Sequence, residues 1–164
     1  LDEDKLDKNF IETSEFTSLL LEVLTRNARA YEEEKVKLFA RAFIAFSTIQ
    51  GAETKYKEGF IKIIDELTVD HIRVLAFICF RLDNPNEENE KLRSRVLAED
   101  VSINLNIPLD RVLAYCQHLL RFGLLWDWGI GKFGEYKPNK FSVTEYGREL
   151  ANLLKSFENP QNTA

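Results

Sequence analysis

Leu97-Ala98-Glu99-Asp100-Val101-Ser102-Ile103-Asn104-Leu105, then Asn106-Ile107-Pro108, then Leu109–Arg121 reads as two short helices joined by a tight turn. Leu97, Val101 and Leu105 stand at i, i+4 and i+8, the spacing of one helical face. Pro108 fixes φ and has no N–H, so it suits the first turn of a second helix and places a boundary at Ile107. Asp110 adds negative charge there, where the helix dipole favours it. Along the second helix Leu109, Val112, Leu113, Cys116, Leu119 and Leu120 fall on one side, the buried one. Arg111, Ala114, His118 and Arg121 fall on the other, with Gln117 at its margin. Gly123 follows where a left-handed residue often closes a helix, and Leu124-Leu125-Trp126 resumes as a strand.

Toward the C-terminus, a glycine-rich hairpin separates this strand from Phe141-Ser142-Val143-Thr144-Glu145-Tyr146-Gly147-Arg148-Glu149-Leu150, which reads as a strand entering a last helix. The whole run resembles the winged-helix domain of MarR-type regulators. In that family a helix-turn-helix is followed by a Gly-Leu step that opens the wing and a Thr-x-x-Gly step that starts the final helix. The matching positions are Gly123, Leu124, Thr144 and Gly147, and the resemblance covers roughly the C-terminal half, with a preceding helix near residues 69–82. The wing lacks the regulators' acidic-arginine signature, so the resemblance implies the fold without carrying DNA binding along with it. The expectation is a mainly α chain: an N-terminal helical region, residues 10–67, and a C-terminal winged helix, residues 68–157, with a small β-hairpin wing.

Upstream, residues 1–9 are dominated by charge and read as a mobile tail or the end of an earlier helix. Thr13 or Ser14 can cap a helix whose inner stripe is Phe16, Leu19, Leu20, Val23, Leu24, Ala28 and Tyr31, leaving Glu22, Arg26 and Arg29 for water or a partner. Residues 1–50 contain neither Gly nor Pro, so propensity leaves residues 13–50 open between one long helix and a helical hairpin. Residues 36–49 are apolar nearly all round, which requires burial on several sides, by the chain's own domain or by a second subunit. A homodimer is expected on that ground, with Phe39, Phe43 and Phe46 at its contact. Gly51 is expected to end this helix. Residues 52–55 are a polar link to a helix with Tyr56, Phe60, Ile63, Ile64 and Leu67 inside. Thr68 then caps a helix that turns Ile72, Leu75, Ala76, Cys79 and Leu82 inward. Asp83-Asn84-Pro85-Asn86-Glu87-Glu88-Asn89-Glu90 is a solvated loop.

The chain has 164 residues, enough for one or two small domains, and its 45% hydrophobic and 30% charged residues are those of an ordinary globular protein. The net charge of −5, with the acidic excess mainly in the first 67 residues, disfavours nucleic acid without removing a local basic patch. Cys79 and Cys116 stand alone in apolar helices, so a reducing compartment, the cytoplasm, is expected. No uncharged apolar run approaches the length of about 18 residues that a membrane span needs, and no signal-peptide layout is present. The chain lacks Met and begins at Leu1, as a trimmed or processed chain would.

No constellation declares a reaction, and neither an enzyme nor a cofactor is expected. Gly129-Ile130-Gly131-Lys132-Phe133-Gly134 matches G-x-G-x-x-G in form, but no helix opens at its last glycine and no βαβ unit surrounds it, so it reads as a hairpin tip. Cys116 and His118 point about 200° apart on a helix and cannot form a local metal pair, and His71 is isolated in sequence. Trp126 and Trp128 share one strand face, and two readings stay open: with Phe133, Tyr136, Phe141, Lys132, Lys137 and Lys140 they stack on bases and pair with phosphates, or they simply cover the core beneath the wing. The contact residues for a partner are Arg111, Gln117, His118, Arg121, Lys132, Lys137 and Lys140. The function read from this is a non-catalytic interaction or assembly module with a protein partner. The alternative is a dimeric sequence-specific regulator of duplex DNA, in which the α-helical residues of this set would enter the major groove.

Overall fold

The computed structural model describes residues 6–30, 32–48, 56–83, 95–128 and 139–155. They form a mainly helical protein with one small antiparallel sheet. In order the elements are α1 (Lys8–Ile11), α2 (Ser14–Asn27), α3 (Glu33–Phe46), α4 (Lys57–Glu66), α5 (Val69–Asp83), β1 (Val96–Leu97), α6 (Ala98–Leu105), α7 (Leu109–Arg121), β2 (Leu125–Asp127), β3 (Lys140–Val143) and α8 (Glu145–Lys155). The chain divides into two compact units, Leu1–Val69 with Asn152–Ala164, and Asp70–Ala151. Gly51, the 52–55 link, the loop from Asn84 to Glu90, the glycines of 129–134, Lys132 and Lys137 lie outside the described residues.

In the first unit α2, α3 and α4 pack pairwise. Order begins earlier than the charged N-terminal stretch suggested. Asp7 caps α1 by accepting from the Phe10 N–H at 3.1 Å, and its own N–H donates to the Ser47 carbonyl at 3.0 Å. Thr13 caps α2, its hydroxyl accepting from the Phe16 N–H at 3.1 Å. Because α2 ends at Asn27 and α3 begins at Glu33, the hairpin is the form adopted. Leu19 and Val23 are buried, while Leu24 is 54% exposed and Ala28 lies beyond the helix end. The real inner line, through positions 16, 19, 23 and 26, is narrower than the seven-residue stripe read from sequence. Arg26 takes a partner rather than water: it pairs with Glu22 one turn back and with Asp65 of α4.

The all-round apolar character of α3 has a source within the chain. Phe39 and Phe46 have no exposed surface, and they share a core with Leu38, Ala42, Phe60, Ile61, Ile64 and Leu67. Phe43 is half-buried with its ring 5.3 Å from that of Phe16, which in turn meets Phe10 edge-on at 5.7 Å. Phe39 and Phe46 are therefore covered within the chain itself, the first of the two coverings that their apolar surroundings allowed. Lys35, at the start of α3, donates to the Asp65 carbonyl at 2.9 Å and to the Leu67 carbonyl, placing a cation on the open carbonyls that end α4. Burial pulls its ammonium below the usual lysine range, with Asp65 and Glu32 opposing that. Tyr56 precedes α4, does not continue its stripe, and is 54% exposed; Lys57 is buried in its place.

In the second unit, β3 lies between β1 and β2, with Phe141 opposite both Val96 and Asp127. Leu97 belongs to β1 and stands at the N-cap of α6, so the first helix of the pair starts at Ala98. Between α6 and α7 the chain turns at Asn106, whose φ of 52° is the left-handed conformation that Asn tolerates better than most residues. Ser102 braces the turn, donating its hydroxyl to the Ile107 carbonyl at 2.7 Å and accepting the Ile107 N–H at its own carbonyl at 3.2 Å. Pro108 stands at the N-cap of α7. Val112, Cys116 and Leu119 bury the inner side of α7, whereas Leu109, in the first turn, is 38% exposed.

A small lock closes this unit. Gly123 adopts φ 69°, and the Thr144 hydroxyl lies 2.7 Å from the Gly123 carbonyl and accepts the Gly147 N–H at 2.9 Å. The Thr144 N–H donates to the Leu124 carbonyl at 3.1 Å. Gly147 then packs so closely that a Cβ there would sit 2.0 Å from the Leu124 carbonyl oxygen. Gly123, Leu124, Thr144 and Gly147 thus form one contact between the end of α7 and the start of α8.

Candidate functional site

Strand alternation builds the first candidate surface. In β2 Leu125 and Asp127 are buried and Trp126 is 62% exposed, the reverse of a tryptophan cover over the core. The reason is the pairing: Asp127 and Val96 stand opposite fully buried Phe141, so their face is the inner one. The outer face then carries Arg95, Leu97, Lys140, Ser142, Trp126 and Trp128. Trp126 pairs with Ser142, and the Trp128 indole N–H donates to the Ser142 hydroxyl at 3.0 Å. The Arg95 guanidinium lies over the Trp128 ring, 4.8 Å from its centroid. Two tryptophans held beside an arginine and a lysine can stack on a flat group and attract a negative one.

The solvent side of α7 is the second surface. Arg111, Gln117 and Arg121 are exposed there, with Asp110 among them at the leading turn. Lys140 is half-buried in β3 and belongs to the sheet face. Lys132 and Lys137 cannot be placed, since they lie outside the described residues.

His118 departs from the solvent side of α7. It is half-buried, and its Nδ1 lies 3.0 Å from Nε2 of His71 on α5. His71 is itself buried, with the Tyr115 ring 4.5 Å away, and Phe122 lies 5.1 Å from His118. The two histidines are 47 residues apart in sequence, so no local spacing could have joined them. Cys116 faces the other way, into the core. Burial, with the Asp127 carboxylate adding to it, pushes its thiol up to about 12, so at neutral pH it is a protonated, unreactive hydrophobe.

In the first unit a shallow depression of about 230 Å³ is lined by Glu15, Leu19, Tyr56, Lys57, Glu58 and Gly59. The Lys57 ammonium pairs with Glu15 at 3.0 Å and stands 4.6 Å from the centre of the Phe10 ring. Its charge is committed to the chain. Among the described residues no three His, Cys, Asp or Glu side chains converge to hold a metal ion, and no helix is long and apolar enough to cross a membrane. No family model, curated protein or solved structure matches the chain.

Proposed function

We propose that the second unit is a winged helix that works as a non-catalytic interaction module, docking a protein partner on the outer face of its sheet. The observation that carries this reading is the exposure of Trp126 at 62% and Trp128 at 37%, side by side with Arg95 and Lys140. Tryptophan and arginine dominate binding energy at protein interfaces, and here neither tryptophan is needed to close the core. The order helix, short strand, two helices, hairpin, helix supports the winged-helix assignment, as does the lock at Gly123, Leu124, Thr144 and Gly147.

A second reading, a sequence-specific duplex-DNA-binding regulator, is favoured by the exposure of Arg111, Gln117 and Arg121 along one side of α7. Asp110 and the net charge of −5 weigh against it. One comparison separates the two. Wild type, Trp126→Ala/Trp128→Ala and Arg111→Ala/Arg121→Ala are tested for capture of a host protein and for enrichment of a sequence from a random duplex-DNA pool across a salt series. A protein retained by the arginine variant and lost by the tryptophan variant supports the module. Enrichment of one DNA sequence that depends on Arg111 and Arg121 replaces it with the regulator.

A further inference from the structure

We propose that His71 and His118 form a two-histidine chelate for a divalent first-row transition metal, Cu²⁺ before the others. Their facing nitrogens, Nε2 of His71 and Nδ1 of His118, are 3.0 Å apart. Two ligands at roughly 2.0–2.1 Å from a metal lie about 2.9 Å apart when they occupy adjacent corners of a square-planar or tetragonal ion. A tetrahedral ion would separate them by about 3.3 Å. The spacing therefore already suits the geometry that Cu²⁺ and Ni²⁺ prefer, and Cu²⁺ stands highest among these metals for nitrogen ligands.

The pair is prepared by its surroundings. His71 sits among buried Ile72, Val74 and Leu75 on α5, and His118 between Cys116 and Leu119 on α7, so both rings spring from packed helices. Tyr115 and Phe122 flank them and limit their rotation. In the metal-free pair a single proton occupies the space between the facing nitrogens. On binding, that proton leaves its nitrogen and solvent returns one to the other nitrogen of the same ring, so both facing lone pairs meet the cation. No net proton is released. The protein supplies two ligands; water fills the other positions, reached from the side where His118 is partly exposed. A cation held there ties α5 to α7.

The test uses the full chain without a histidine tag, titrated with CuCl₂ and examined by electron paramagnetic resonance with spin-echo modulation. The chain has only two histidines, so modulation from the remote nitrogens of two imidazoles can arise from no other pair within it. The expected result is a single tightly bound equivalent of Cu²⁺ with two-imidazole modulation and a rise in melting temperature. His118→Asn, at the more exposed position, should lose both the two-imidazole signal and the rise, and His71→Asn should do the same. Signals from one imidazole or none at one equivalent, or binding unchanged in His118→Asn, would overturn the proposal. The first of these results needs only wild-type protein, so it holds whether or not either variant folds.

Discussion

Gly147→Ala tests the lock between the end of α7 and the start of α8. A Cβ at this position lies 2.0 Å from the Leu124 carbonyl oxygen, 2.8 Å from its carbon and 3.0 Å from its Cα, all backbone atoms that no rotamer can move. To reach the 3.4 Å of ordinary contact, α8 and the Leu124 backbone must separate by roughly 1.4 Å. Overpacking of this kind costs about 1–3 kcal/mol. The same separation strains the hydrogen bonds from the Thr144 hydroxyl to Gly123, from the Thr144 N–H to Leu124, and from the Gly147 N–H to the Thr144 hydroxyl. These contribute about 1 kcal/mol each, and some would be lost. Against this, alanine is a better helix former than glycine by about 1 kcal/mol. The net expectation is a loss of about 2–4 kcal/mol. Both tryptophans of the chain lie in the second unit, so urea unfolding followed by tryptophan fluorescence reads the relevant transition. Thr144→Ser, which keeps the hydroxyl, should lose less than about 1 kcal/mol, and Thr144→Val about 1–2 kcal/mol. A Gly147→Ala protein as stable as wild type would refute the close approach and the lock built on it.

Other substitutions separate the remaining forces. Gly123→Ala meets no atom within 4 Å, so it should cost only the left-handed backbone, about 1–2 kcal/mol, and Gly123→Asn less, measured in the same unfolding assay. Phe39→Ala and Phe46→Ala should each destabilise the first unit by about 3–5 kcal/mol in calorimetry, because both rings are fully buried. The Cys116 thiol, held protonated up to about 12 against an ordinary 9.0, favours folding fully below pH 9, and that contribution is lost as pH rises toward 12. Between pH 8 and pH 10 wild type should therefore lose about 1.4 kcal/mol more than Cys116→Ala in paired urea titrations, and an equal loss in both would contradict the burial.

Much of the fold was open to reading because local physics wrote it. Thr13 preceding a periodic run, Pro108 after Asn106, and Gly123 before Leu124-Leu125 each mark a boundary through one residue's own backbone or hydrogen-bonding needs, and the structure puts boundaries at each. Failures arose where a second element chose among equivalent local options. Leu24 fits the α2 stripe by hydropathy alone, yet the direction from which α3 and α4 approach leaves it outside. Residues 36–49 demanded burial, and periodicity could not tell whether α2 and α4 or another subunit supplied it. Arg26 read as a residue for water or a partner, and only the approach of Asp65 from α4 decides between them.

The candidate surface illustrates the same limit more sharply. Alternation establishes that Trp126 and Trp128 share a face and that Leu125 and Asp127 share the other, but it is silent on which face is inward. Hydropathy argues for the tryptophans, since burying Asp127 is costly in isolation. Phe141 decides otherwise: in register with Asp127 and Val96 and with no exposed surface, it fixes the inner face for all three strands. The two indoles are then forced outward whatever their own preference, and the Arg95 guanidinium and the Ser142 hydroxyl take up one of them. Apolar surface held outward by the core's own demand is the feature that distinguishes a contact face from a stray exposed side chain. Exchanging Trp126 for a polar residue should leave the unfolding transition within about 0.5 kcal/mol of wild type, as expected for a surface position. A large loss on Trp126→Gln would place the ring in the core and remove the basis for a docking face.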